Sequence, residues 1–171
     1  MKTGKKILVV GTSASGKSVF SRELGRCAGI PVIYIDALMW KPGWNYVGKE
    51  EIIKLLDEAS QNQEWIIEGF IHKQALPFML ERANTIIYLD YSRFVTSWRY
   101  IKRSWMHNKN PRLELEGSPD KFSFKFLMKI WSKKEVYWLD IYLKELPNQV
   151  KLIRLTSPQK AKTMLSTSYK E

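Results

Sequence analysis

Eight consecutive residues, Gly11, Thr12, Ser13, Ala14, Ser15, Gly16, Lys17 and Ser18, satisfy every fixed position of a phosphate-binding loop. The apolar run Ile7-Leu8-Val9-Val10 precedes them, and a helix-compatible stretch over residues 19–27 follows. Strand, glycine-rich turn and helix is the order such a loop needs. Glycine lets the backbone curl so that successive N–H groups converge on an anion, and the helix adds the positive end of its dipole. In a loop of this kind Lys17 reaches the β- and γ-phosphates of a nucleoside triphosphate and the Ser18 hydroxyl ligates magnesium. The nucleotide-binding segment therefore runs from Gly11 to Val19, and the expected ligands are ATP and Mg2+.

The rest of the chain fits around that unit. Short apolar runs at residues 6–10, 32–35, 64–68, 85–89 and 151–155 read as strands covered on both faces, because they are almost continuously hydrophobic rather than alternating. Helix-compatible stretches separate them: residues 48–60, with Ile52, Ile53, Leu55 and Leu56, and residues 94–106, rich in aromatics. Residues 122–146 follow, read as one long or two consecutive helices ending at Pro147-Asn148. The expectation is a three-layer α/β/α P-loop fold, with a five-stranded parallel sheet, the first strand near its centre, and a helical lid over residues 92–146. At 171 residues the chain suits one domain with one core.

Composition narrows the classes further. No apolar run is long enough to cross a bilayer, so neither a signal peptide nor a membrane partner is expected, and the protein is placed in the cytoplasm. Cys27 is the single cysteine and reads as an inert thiol on the buried side of the first helix. The net charge is +11, and from Ser92 onward 17 Lys or Arg face 7 Asp or Glu. Such an excess focuses a phosphorylated substrate into a cleft or attracts nucleic acid. No helix-turn-helix spacing or zinc finger accompanies it, so a small-molecule acceptor is preferred over nucleic acid.

Several further segments recur in order: Ile30-Pro31-Val32 leading to Asp36, Trp40 with Lys41-Pro42-Gly43-Trp44, and Trp65-Ile66-Ile67-Glu68-Gly69. Leu80-Glu81-Arg82-Ala83 and Glu116-Gly117-Ser118-Pro119 complete the set. With the phosphate loop, they make the chain resemble the small P-loop nucleotide kinases related to adenylate kinase, and within them the bacterial DNA topology modulation proteins. The resemblance implies phosphoryl transfer from ATP to a nucleotide, nucleoside or similar small acceptor, and it leaves a homodimer open. It also implies that the segment Thr156-Ser157-Pro158-Gln159 wraps the base. Where that family usually has aspartate, this chain has Glu68, and where adenylate kinases have an arginine shortly afterwards, it has His72.

The candidate chemical residues follow. Asp36, directly after the second strand, can orient an attacking hydroxyl and accept its proton, or serve as a local cap. Glu68, ending the third long strand, can hold a magnesium-bound water, or be an ordinary strand-end acid. Arg99 and Arg103 lie four apart on one helical face, and Arg112 follows in the next loop. All three can close over the transferring phosphoryl group, or sit as solvated charges. Asp90 reads equally as a helix cap, Arg93 as an anchor for a neighbouring carboxylate, and Lys133-Lys134 as solvated surface. Trp40, Trp44 and Phe70 are placed on the acceptor side, where aromatics stack a base or cover the core edge.

Overall fold

The computed structural model describes residues 4–69, 74–106 and 122–168. In chain order the elements are β1 (Lys6–Gly11), α1 (Lys17–Ala28), β2 (Val32–Tyr34), α2 (Ile35–Met39), β3 (Trp40–Lys41), β4 (Asn45–Tyr46), α3 (Lys49–Ser60) and β5 (Trp65–Glu68). They continue with α4 (Leu76–Arg82), β6 (Thr85–Leu89), α5 (Arg93–Met106), α6 (Phe124–Ser132), α7 (Lys134–Tyr142), β7 (Lys151–Leu155) and α8 (Pro158–Ser168).

β1 is the middle strand of a sheet ordered β2-β5-β1-β6-β7. All four pairings are parallel. Parallel strands need helical crossovers, which cover both faces and explain the continuous apolarity of the five runs. Side-chain alternation sorts the core into two halves. Leu8, Val10, Ile67, Ile86 and Tyr88 point to a layer built with Ile52 and Leu56 of α3, Leu76 and Met79 of α4, and Val136 and Leu139 of α7. Ile7, Val9, Ile66, Ile87 and Leu89 point to the other face, against Phe20 and Leu24 of α1 and Ala161 and Met164 of α8. The result is the expected three-layer α/β/α arrangement, with α5, α6 and α7 as a helical excursion between β6 and β7.

Several local features differ from the sequence reading. β2 stops at Tyr34, so Asp36 sits in the first turn of α2 rather than directly after the strand. The Lys41-Pro42-Gly43-Trp44 turn closes a small hairpin, in which Trp40 pairs with Tyr46. The second option for residues 122–146 is realised: α6 ends at Lys133, which takes a left-handed conformation with φ 51°, and α7 begins at once. Cys27 is half-buried, not a core thiol. Helices α4 and α8 went unread, although Ser157-Pro158 is a helix start of cap residue followed by proline. Ser157 Oγ accepts from Lys160 N at 3.3 Å.

Tyr88 supplies a test of the packing. Burial first, then the nearby Asp90 and Asp140 carboxylates, push its phenol pKa far above the usual value of 10.0. Below pH 10 the phenol is protonated in folded and unfolded chains alike. Above it the unfolded chain ionises while the folded one resists, so stability falls as pH rises past that point. Urea midpoints between pH 8 and pH 11 should therefore decline, and Tyr88→Phe should flatten the decline. An unchanged slope in that variant would remove Tyr88 as its source.

Candidate functional site

The carboxyl edge of the sheet brings three chain segments together. Parallel register sets Val9 opposite Glu68 and Gly11 opposite Leu89, so the loop leaving β1 emerges between the ends of β5 and β6. Gly11 there has φ 152°, and a Cβ on it would lie 2.7 Å from the Leu89 carbonyl oxygen and 3.1 Å from Ser15 Oγ. Only glycine permits that approach. The loop then turns through Ala14 at φ 62° and Gly16 at φ 91° into α1. Ser15 N donates to Thr12 O at 3.1 Å, which closes the curl.

The sequence-predicted donor residues converge here. Lys17 Nζ folds back over the loop, donating to the carbonyls of Gly11 at 3.1 Å and Thr12 at 3.2 Å. Ser18 Oγ donates to Glu68 Oε1 at 3.0 Å, and Glu68 is only 1% exposed. Buried carboxylates are costly unless hydrogen-bonded, so this pair locks the start of α1 to the end of β5. No side chain caps α1, and its first turn holds no acid, so the positive end of the helix faces the loop.

A cavity of about 440 Å³ opens over the loop, and its walls include Ser13 to Val19, Asp36, Glu68, Arg99 and Arg103. Six sequence-predicted side chains from four separate segments thus share one space: Lys17 and Ser18, Asp36, Glu68, and the arginine pair. Sequence reasoning missed Tyr91, Phe126 of α6, and Lys162 and Leu165 of α8, which line the same cavity. Of the segment Thr156-Ser157-Pro158-Gln159, Pro158, at the head of α8, lines it too. Trp40 and Trp44 meet edge-on with ring centroids 5.5 Å apart in the hairpin and are not among the walls. Arg112, Phe70, His72 and the Glu116-Gly117-Ser118-Pro119 segment lie outside the described residues.

The charges around the cavity separate into roles. Arg99 Nη1 donates to the Ser15 carbonyl at 2.6 Å, and its guanidinium lies 5.5 Å from the centre of the Tyr91 ring. Burial raises the Tyr91 phenol pKa, with Arg99 opposing. Asp90 neither caps a helix with its side chain nor lines the cavity. It pairs with Lys133 Nζ at 2.9 Å and Arg154 Nε at 3.2 Å, while Arg154 also holds Asp140 at 2.6 Å. Lys133 is thereby corrected from solvated surface to the anchor of the α6–α7 corner. The helix start before α5 is served by Ser92, whose Oγ accepts from Val95 N at 3.4 Å. Arg93 lies over the Trp131 ring at 5.6 Å.

The loop fits a polyphosphate and the Ser18–Glu68 pair fits magnesium. Ser15 Oγ, inside the curl, is buried without a hydrogen-bond partner among the described residues. No group of three or more His, Cys, Asp or Glu that could hold a metal occurs among them either. Magnesium suits such a place, because it keeps several waters and takes one or two protein oxygens together with phosphate oxygens.

A parallel sheet in this order, with a phosphate loop after its central strand and a helical lid before its last, is the architecture of the P-loop kinases. Solved structures share that fold across nearly the whole chain. A Chloroflexus aurantiacus j-10-fl protein, provisionally named a kinase, is 19% identical over 99% of this chain and 100% of its own, with a TM-score of 0.62. Shikimate kinase from Bacteroides thetaiotaomicron is 15% identical over 94% and 93%, with a TM-score of 0.61. Shikimate kinase from Acinetobacter baumannii, solved with shikimate, is 15% identical over 95% and 89%, with a TM-score of 0.60. At such identities the likeness is one of fold. No family model and no curated protein sequence matches the chain. No helix among the described residues is long and apolar enough to cross a membrane.

The Ser18–Glu68 bond carries a stability prediction. Ser18→Ala removes a partner from a buried carboxylate, which should cost about 1–3 kcal/mol in urea unfolding. Ser18→Thr, which keeps the hydroxyl, should recover most of it. Equal midpoints for wild type and Ser18→Ala would show that the bond contributes nothing.

Proposed function

We propose that this protein is an ATP-dependent phosphotransferase acting on a small acceptor. The observation that carries this reading is the convergence, in one cavity, of the phosphate loop with Lys17, the Ser18–Glu68 pair, the Asp36 carboxylate and Arg103. Phosphoryl transfer needs positioning and charge neutralisation more than covalent chemistry, and these groups supply both. Loop amides and Lys17 hold the donor phosphates. Ser18 and, through a water, Glu68 would hold magnesium, which would neutralise charge on the β- and γ-phosphates. Arg103, from the lid helix α5, meets the charge that spreads over the transferring group, and Arg112 follows it in the chain as a second candidate for that work.

Asp36 bears on the acceptor. An alcohol must lose a proton as it attacks, and a carboxylate beside it can orient and take that proton. A phosphate acceptor is already ionised at neutral pH. A hydroxyl acceptor therefore fits best, whether on a nucleoside, a nucleotide or another small polyol. The fold neighbours named as shikimate, gluconate and sugar kinases are consistent with an alcohol. The ordered motifs shared with the nucleotide kinases support the nucleoside side of the choice. One domain, a lid spanning residues 92–146 and a cytoplasmic setting complete the proposal.

Two measurements test it. Lys17→Ala should weaken ATP binding, measured calorimetrically with magnesium, by at least about tenfold while sparing the fold. Equal affinities would defeat the donor-site assignment. An acceptor screen with direct detection of phosphorylated product should yield an alcohol whose turnover falls by about 100-fold or more in Asp36→Asn, with ATP binding retained. Hydrolysis stimulated by DNA, with no acceptor phosphorylated, would transfer the protein to the nucleic-acid-dependent ATPases.

A further inference from the structure

Arg99 faces the phosphate loop, but what it grips is the loop's own backbone. Its Nη1 donates to the Ser15 carbonyl at 2.6 Å across 84 residues of sequence. A Cβ on Gly16 would come within 2.8 Å of that same nitrogen. Gly16 therefore does two things: it takes the φ of 91° that turns the chain into α1, and it leaves the space in which the guanidinium rests. The other side of the guanidinium lies over the ring of Tyr91, which is 2% exposed. Tyr91 is held in turn by its neighbour Asp90, whose backbone N donates to Leu155 O at 3.0 Å and whose carboxylate is pinned by Lys133 and Arg154. A continuous series of contacts thus runs from β7 and the α6–α7 corner to the peptide between Ser15 and Gly16.

We propose that Arg99 is a positioning residue that sets the anion-binding shape of the phosphate loop, and that the charge-neutralising work of the α5 arginine pair falls to Arg103. The physical reason is the planarity of the peptide bond. In a trans peptide the C=O of Ser15 and the N–H of Gly16 are fixed in opposite directions. A charge-assisted bond that holds the carbonyl toward Arg99 holds the Gly16 N–H away from it, toward the inside of the curl where a phosphate is received. Arg99 bonds the loop's own backbone, so it orients the amides that receive the phosphates. Arginine suits this place because its flat face rests on an aromatic ring while its edge donates.

The assignment rests on the loop being a nucleotide site, and its test separates the two ideas. Amide hydrogen exchange of residues 11–18 is followed in ligand-free wild type, Arg99→Met, Arg99→Lys and Arg103→Met. Arg99→Met should speed exchange there by about tenfold, Arg99→Lys should restore part of the protection, and Arg103→Met should leave it at the wild-type rate. Circular dichroism and exchange in β1 and β6 confirm that each variant is folded. In calorimetry, Arg99→Met should weaken ATP, ADP and inorganic tripolyphosphate with magnesium by similar factors, about tenfold. Unchanged loop exchange in Arg99→Met overturns the proposal. So does a loss confined to ATP and ADP with tripolyphosphate unaffected, which would place Arg99 against the base. A loss for ATP alone would place it on the γ-phosphate. If wild type binds none of the three ligands, the nucleotide reading fails, while the exchange data still decide whether Arg99 holds the loop.

Discussion

The pairing of β1 with β5 on one side and β6 on the other is the constraint from which the site follows. Register puts Val9 beside Glu68 and Gly11 beside Leu89, so the chain leaving β1 has to turn in the notch between two strand ends. The Leu89 carbonyl crowds that notch and admits no side chain at Gly11. The loop must curl there, and curling directs its amides inward and delivers the next residues to the N-terminus of α1. Ser18 then falls within reach of Glu68, and Lys17 within reach of the loop's first carbonyls. The geometry of the donor site is a consequence of strand order rather than of the eight loop residues alone.

Polar groups at this edge form two systems with different purposes. Ser18 and Glu68 form a nearly buried pair of hard oxygens beside the loop. Asp90, Lys133, Arg154 and Asp140 form a half-exposed ion network at the far side of β6. Surface ion pairs of this exposure contribute little individually, yet here they fix a corner on which α6 and Tyr91 depend. Between them stands Arg99 of α5, which bonds the Ser15 carbonyl of the loop and lies over the Tyr91 ring.

The fold was legible because burial on both faces of a parallel sheet leaves a mark in one dimension. Runs such as Ile7-Leu8-Val9-Val10 and Thr85-Ile86-Ile87-Tyr88-Leu89 cannot alternate when helices cover both sides. Lys17, Ser18, Asp36, Glu68 and Arg103 were legible for a related reason: they sit in or just beyond strand ends, or at helical spacing from one another. What eluded the sequence depends on contacts across the third dimension. Spacing puts Arg99 and Arg103 on one face of α5, but only the packed structure shows that Arg99 reaches Ser15. Nothing in Lys133-Lys134 distinguishes the left-handed residue that breaks α6 from α7, and its side chain is bonded to Asp90, 43 residues earlier. Arg93 likewise finds an indole where a carboxylate was expected, since no local pattern reveals what packs on a helix start.

The central place of β1 has a bearing on how the molecule comes into being. Its partners begin at Trp65 and Thr85, so the strand that bears the phosphate loop is made before either of them and enclosed only after both. Until those partners emerge from the ribosome, Ile7, Leu8, Val9 and Val10 have no sheet to join, and loop closure over such separations is slow. A nascent chain of this design presents a sticky, unsheltered strand until β6 has been made. Its dependence on holding chaperones should accordingly be greatest between the synthesis of β1 and that of β6, and end when β6 is in place.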